Sequence, residues 1–261
     1  MVKGISIVAA GAGEGAHSPM HQFEINRLHE LDWFGYDASF TNSSLFMVGA
    51  VALITGFMLF AMRGGSLVPN RVQSVAEMSY EYIEGMVREN LGDEGMKFFP
   101  WIFSLFMFIL VLNMMGMMPY SFTVTSHIIV TFGLAAMVWL TVTAIGFYKH
   151  GFGFLKLFLP SGLPWWLIPV IVPIELISYF IRPISHSVRL FANMMAGHTM
   201  LKVFAGFIVS FAAAGLGAAG IAPLLFMIAF TGLEVLVAFL QALIFTVLTC
   251  IYLNDALHMH H

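Results

Sequence analysis

Arg189 lies in an almost uninterrupted apolar run from Trp165 to Ser210, with several helical turns of apolar-dominated sequence on either side. A charge at the centre of a membrane helix costs about 3 kcal/mol on insertion scales, and more by simulation. Snorkelling relieves an arginine near a helix end but not one this deep. The guanidinium cannot relay a proton, because it stays protonated throughout the accessible pH range. It can repel cations, attract a passing carboxylate and block direct leakage. Groups that do exchange protons occur nearby: Glu175, His186 and His198 on the same run, and Glu234 on a second apolar run from Pro223 to Asn254. Asn193 and Gln241 add neutral donors and acceptors.

Spacing gives these residues an arrangement. Ser178, Arg182, Ser185, Arg189, Asn193, Ala196 and Gly197 follow in steps of three and four, which places them on one helix face. Glu175 precedes Arg189 by 14 residues, about 40° short of four turns, and shares that face. On the second run Glu234 and Gln241, seven apart, share a face. Ala212 to Gly220 is a small-residue turn, so the two runs form an antiparallel hairpin. Counted back from the turn, Arg189 is level with Gln241, and His198 with Glu234. Ala192, Ala196 and Ala238 are small enough to let the backbones approach closely. With the first long helix running from inside to outside, His198 and Glu234 lie on the outer side of Arg189. Glu175 and His186 lie toward the cytoplasm. Two polar half-paths are thus separated by a fixed positive charge. The plainer alternatives are an interhelical hydrogen bond for Gln241 and Asn193, a neutral structural pair for His198 and Glu234, and interfacial structural roles for Arg182 and Lys202.

The elements that must position them are membrane elements. Of 261 residues 59% are hydrophobic and only 10% charged, and mean hydropathy is +0.88. An ordinary soluble domain carries about 25% charged residues, so lipid must solvate much of this chain. A net charge of −3 points to no nucleic-acid partner. The single Cys250 excludes an internal disulfide framework. Residues 1–43 form a polar, aromatic N-terminal segment that does not read as a cleaved signal peptide. A first span covers 44–62. Residues 63–97 mix Arg71, Glu77, Glu81, Glu84, Arg88, Glu89 and Lys97 with Val72, Val75, Ala76, Met78, Ile83 and Val87, the pattern of an amphipathic helix on the membrane surface. A transmembrane hairpin follows over 98–147, turning after Pro119, then a loop over 148–163 with Lys149, His150 and Lys156. The long hairpin occupies 164–254, and 255–261 is a tail. Arg63, Arg71, Lys149 and Lys156 fall on one side, which is therefore cytoplasmic, and the N-terminus faces outside. As one helix, Trp165 to Ser210 would be about 70 Å long, over twice a hydrocarbon core of about 30 Å. It must tilt or bend, and Pro169, Pro173 and Pro183 offer sites for bending. The expected fold class is an all-α integral membrane protein with three spans, a surface amphipathic helix and a hairpin of two long tilted helices.

Arg189-Leu-Phe-Ala-Asn193-Met-Met-Ala-Gly197-His198, together with Glu234 and Gln241 in Leu-Glu-Val-Leu-Val-Ala-Phe-Leu-Gln, resembles subunit a of the F-type ATP synthase. Met20-His-Gln-Phe-Glu24, Asn113-Met-Met-Gly-Met-Met-Pro119 and Tyr252-Leu-Asn-Asp255 are similar to further family segments, so the resemblance spans nearly the whole chain from about Ser18. It implies that Arg189 faces the carboxylates of a rotating c-ring, with Gln241 against it and Asn193 beside the path. It implies an outer half-channel at His198 and Glu234, in the mitochondrial-like order of the two residues, and a cytoplasmic half-channel at Glu175. The implied partners are the c-ring, the subunit b peripheral stalk, the remaining synthase subunits and membrane lipid. The implied location is a bacterial inner membrane, with the mitochondrial inner membrane as alternative. The chain would be a proton-translocating subunit without a catalytic site, cofactor or metal of its own. It contains no phosphate-cradling glycine loop followed by lysine, so ATP chemistry belongs to partners.

Two other classes compete. A self-contained secondary transporter or channel would show an internal repeat, and none is evident. An intramembrane hydrolase built on His198 and Glu234 would need an H-E-x-x-H pair or a nucleophile constellation, neither of which the sequence holds. His127, opening the third span, could help admit protons or be a plain interfacial histidine. His258, His260 and His261 cluster at the end of the sequence with no function assigned.

Overall fold

The computed structural model describes residues 27–29, 32–33, 36–37, 40–63, 69–118, 121–159 and 164–258. The Met20 to Glu24 segment, Pro119, Pro160, His260 and His261 lie outside the described residues, as does the side chain of Lys156. Among the described residues six α-helices carry the fold: α1 (Asn42–Met62), α2 (Arg71–Gly95), α3 (Phe99–Gly116), α4 (Ile128–His150), α5 (Ile168–Ala213) and α6 (Ile221–Leu257). Ahead of them two antiparallel ladders pair Arg27–His29 with Phe40–Thr41 and Asp32–Trp33 with Tyr36–Asp37. These short strands have no counterpart in the sequence reading, which treats the segment only as polar and aromatic.

Caps explain where the first helices begin. The Thr41 side chain accepts from Ser44 N, and Asn70 Oδ1 accepts from Gln73 N at 2.8 Å, each satisfying an otherwise orphan amide of the first turn. Helix α2 keeps its amphipathic pattern but uses it against protein. Ala76, Ile83, Val87 and Leu91 are buried, and the last three join a cluster with Ile102, Ile109, Leu253 and Ala256, while Val75 and Met78 stay exposed. Helical geometry breaks at Gly92, whose φ of 67° only glycine adopts freely. A 3-10 turn, Met96–Phe98, then leads into α3. Lys149 Nζ donates to Glu94 at 2.9 Å, an exposed ion pair that ties α4 to α2. That hydrogen bond and the lysine charge hold the Glu94 carboxyl below its ordinary range.

The last two helices are the long ones, at 46 and 37 residues. Their connection is a Schellman closure: Gly215 N donates to Ala212 O, Leu216 N to Phe211 O, and Gly215 adopts a φ of 75°. Pro169 stands in the first turn of α5, where its missing N–H is harmless, and the helix continues through Pro173 and Pro183. Helix α5 packs between α4 and α6, and α6 also covers α3. Tyr179 and Thr143 hydroxyls, and Ser187 with Thr131 at 3.1 Å, stitch α4 to α5. Among the described residues, by length and composition, five segments can cross a membrane: 42–62, 71–116, 128–155, 168–213 and 217–257. The second joins α2 to α3.

Candidate functional site

The seam between α5 and α6 brings one expected pair into contact. His198 Nδ1 lies 3.6 Å from Glu234 Oε1, close enough for an ion pair though beyond hydrogen-bond reach. Both are buried, at 8% and 3% exposure. A glycine makes this approach possible: a Cβ on Gly197 would stand 2.6 Å from Glu234 Oε1. Neither Glu234 oxygen has a hydrogen-bond partner among the described residues. An ionised carboxylate left unpaired out of water is costly, so this acid has a strong reason to share a proton. Beside it a cavity of about 260 Å³ is lined by Asn193, Ala196, Gly197, Met200, Phe230, Leu233, Glu234 and Val237. Glu234 therefore stands on the wall of a space that reaches Asn193 on the neighbouring helix.

Arg189 stands elsewhere. Together with Ser178, Ser185, Ala192, Asn193 and Ala196 it is exposed, so these form an outward stripe of polar and small residues on α5. Two members of the expected face leave it. Gly197 is buried under Glu234, and Arg182 is half-buried, reaching across to Asp255 at 3.3 Å and over the Tyr252 ring at 4.8 Å. That ion pair forms because α6 continues to Leu257, beyond the expected end at 254.

With His198 opposite Glu234, antiparallel register sets Arg189 at about the height of Gln241 to Leu243. Gln241 itself is buried, at 6% exposure, and among the described residues no hydrogen bond or ion pair joins it to Arg189. His186 is buried between Phe245 and Tyr252, with ring centroids at 4.8 and 5.3 Å, and its Nε2 has no hydrogen-bond partner among the described residues. Glu175 is half-buried, near the start of α5. The structure thus assembles His198 with Glu234, and leaves Arg189, Gln241, His186 and Glu175 as separate stations along the hairpin.

Two further residues belong to the seam although spacing does not reveal them. Asn113 on α3, fully buried, donates through Nδ2 to Ala238 O at 3.2 Å, between Glu234 and Gln241 on α6. Thr123, in the α3–α4 connection, places its hydroxyl 3.2 Å from His198 Nε2. An uncharged polar residue inside an apolar span was the available signal for Asn113. A threonine in a turn offers none. His127 stacks on Phe122 at 4.9 Å in the same connection.

Fold and site together define a multi-pass α-helical membrane protein with ionisable groups placed on facing long helices. The family model of the ATP synthase A chain matches residues 44–254. ATP synthase subunit a of Chelativorans sp. (strain BNC1) is 59% identical over 94% of this chain and 100% of its own length. That of Sinorhizobium medicae (strain WSM419) is 60% identical, covering 93% and 98%, and that of Parvibaculum lavamentivorans 60%, covering 93% and 94%. The chain belongs to the ATP synthase A chain family, the subunit a component of ATP synthase. Its relatives in these three organisms are bacterial.

Proposed function

We propose that this chain is the stator subunit that gives protons two offset routes to a c-ring, with Arg189 as the barrier between them. The observation that carries the reading is the buried His198–Glu234 pair, opening on a cavity that ends at Asn193 beside the exposed Arg189 stripe. A proton enters from outside at His198 and Glu234, crosses past Asn193 and neutralises a c-ring carboxylate. The neutral carboxyl can then travel through lipid. After nearly a full turn the proton leaves toward the cytoplasm on the Glu175 and His186 side. Arg189 cannot carry a proton. Its fixed charge draws the ionised carboxylate while barring a direct proton path, and Gln241 stands behind it at the same height.

The topology follows from the same reading. Helices α1, α3 and α4 span the inner membrane, α2 lies at its cytoplasmic surface, and α5 with α6 forms a tilted hairpin curving round the ring. The chain works without a catalytic site of its own, held beside the ring by the subunit b peripheral stalk and serving ATP-forming subunits elsewhere in the complex. Glu234→Gln keeps the side-chain shape and removes the titratable group. The expected result is slower proton entry in membrane vesicles carrying the whole complex, at least about tenfold. An unchanged rate would remove Glu234 from the path.

A further inference from the structure

Around the α4–α5 connection four aromatic side chains turn outward: Tyr148 is 95% exposed, Phe152 91%, Trp165 82% and Trp166 62%. Other aromatics of the same connection turn inward, so the exposure is not loose packing. Phe154 is buried over Gly146, where a Cβ would collide with its ring, and lies 4.9 Å from the Phe147 ring. Phe158 meets the Tyr179 ring edge-on at 5.4 Å. The tryptophans divide by position as well. Trp101 and Trp139, inside α3 and α4, are half-buried, whereas Trp165 and Trp166, just ahead of α5, are exposed. We infer that Tyr148, Phe152, Trp165 and Trp166 form a lipid anchor, seated in the headgroup layer of the bilayer, that fixes where α5 enters it. The inference rests on the membrane topology proposed above.

A bilayer boundary has to cross the chain here, because the segments on either side, 128–155 and 168–213, are each long and apolar enough to span a membrane. Tyrosine and tryptophan suit that boundary. Each has an apolar ring body with a single polar tip, and both are enriched where hydrocarbon gives way to headgroups. Lys149 and His150, which close α4 directly after Tyr148, add the basic flank of such an interface. The anchor has a consequence for the barrier charge. Counted from Ile168 at the start of α5, Arg189 lies about 32 Å along the helix axis. A hydrocarbon core is about 30 Å thick, so an upright α5 would deliver Arg189 to the opposite boundary. With its start held at the headgroups, α5 must incline about 60° from the bilayer normal to keep Arg189 at mid-depth. Interfacial aromatics are among the groups that set such a tilt.

The test uses the whole complex in vesicles of phosphatidylcholine brominated either near the headgroup or near the chain end. Trp165→Phe with Trp166→Phe removes only these two indoles, so the fluorescence lost relative to the unmodified complex is their emission. Shallow bromines should quench that emission at least about twofold more than deep ones. Quenching by neither, as under a covering protein partner or in open water, overturns the inference, and so does equal or stronger quenching by the deep bromines. Should the double variant fail to assemble, a nitroxide on Phe152→Cys reads the same depth, because Cys250 is fully buried. It should lie within about 10 Å of the headgroup boundary; a position in bulk water, at the core centre or shielded by protein overturns the anchor. Trp165→Ser with Trp166→Ser should lower proton-driven ATP synthesis at least about threefold, and normal synthesis there overturns the depth-setting role. If Glu234→Gln leaves proton entry unchanged, the proton path falls while the quenching still reports on the anchor. If Glu234→Gln slows entry but the two indoles escape quenching, only the anchor falls.

Discussion

Arg189 and His198 share one helix, nine residues and about two and a half turns apart, yet they live under opposite conditions. The stripe around Arg189 is exposed and built of side chains that are polar or small: Ser185, Ala192, Asn193 and Ala196. The seam around His198 is buried, and its polar groups are held by neighbours from α3, the α3–α4 connection and α6. Lipid cannot satisfy a guanidinium or an asparagine side chain, and in the proposed function it is the c-ring carboxylates that meet this stripe. One helix therefore carries an exposed polar stripe on one side and a buried ionisable pair on the other, and a cavity reaches from Glu234 to Asn193 between them; in the proposed function these are the ring-facing surface and the entry route.

Gly197 is the sharpest place to break that connection. Gly197→Ala would press a methyl against Glu234 Oε1, and because the carboxylate is the end of a flexible side chain it would swing aside rather than unfold the helix pair. Proton-coupled ATP synthesis should fall about tenfold or more, with the complex still assembled. Gly206→Ala on the same helix meets nothing within 4 Å and should leave synthesis unchanged. Next in size is Asn113→Leu, which removes the α3–α6 hydrogen bond to Ala238 O. Interhelical hydrogen bonds in membranes contribute about 0.6 kcal/mol on average and up to about 1.7. A correspondingly small drop in thermal stability in detergent is expected, accompanied by slower proton entry if the seam loosens. Smaller again is Asp255→Asn, which leaves the half-exposed Arg182 with its aromatic neighbours alone. Stability should fall by less than about 1 kcal/mol, and a charge swap, Arg182→Glu with Asp255→Arg, should recover part of the loss. Glu94→Gln, which breaks the exposed tie to Lys149, should change neither rate nor stability measurably.

The pairing of His198 with Glu234 was readable because antiparallel register is arithmetic once the turn is placed, and the small residues from Ala212 to Gly220 placed it. The hairpin read over 98–147 holds α3 (Phe99–Gly116) and most of α4 (Ile128–His150). Hydropathy fixes such lengths because the bilayer fixes them. The split of α5 into two faces was only half legible. Periodicity grouped Arg182 and Gly197 with Arg189, but it says nothing of which neighbour reaches across, and Asp255 and Glu234 claim those two residues. Setting the hairpin's end at 254 concealed the acid that pairs with Arg182. Thr123 could not be found from sequence, because a threonine between two spans looks like any capping residue until the fold brings it to His198. The paired strands before α1 were invisible for a related reason: segments of two or three residues are too short to show a period.

In the proposed function Arg189 separates two proton routes without carrying protons itself. Its most direct test is Arg189→Ala in the intact complex in sealed vesicles, with ATP synthesis driven by an imposed proton gradient and passive proton flux recorded in parallel. Coupled synthesis should be abolished while proton flux persists, because the routes remain and only the barrier is lost. Coupled synthesis at the normal rate in that variant would contradict it.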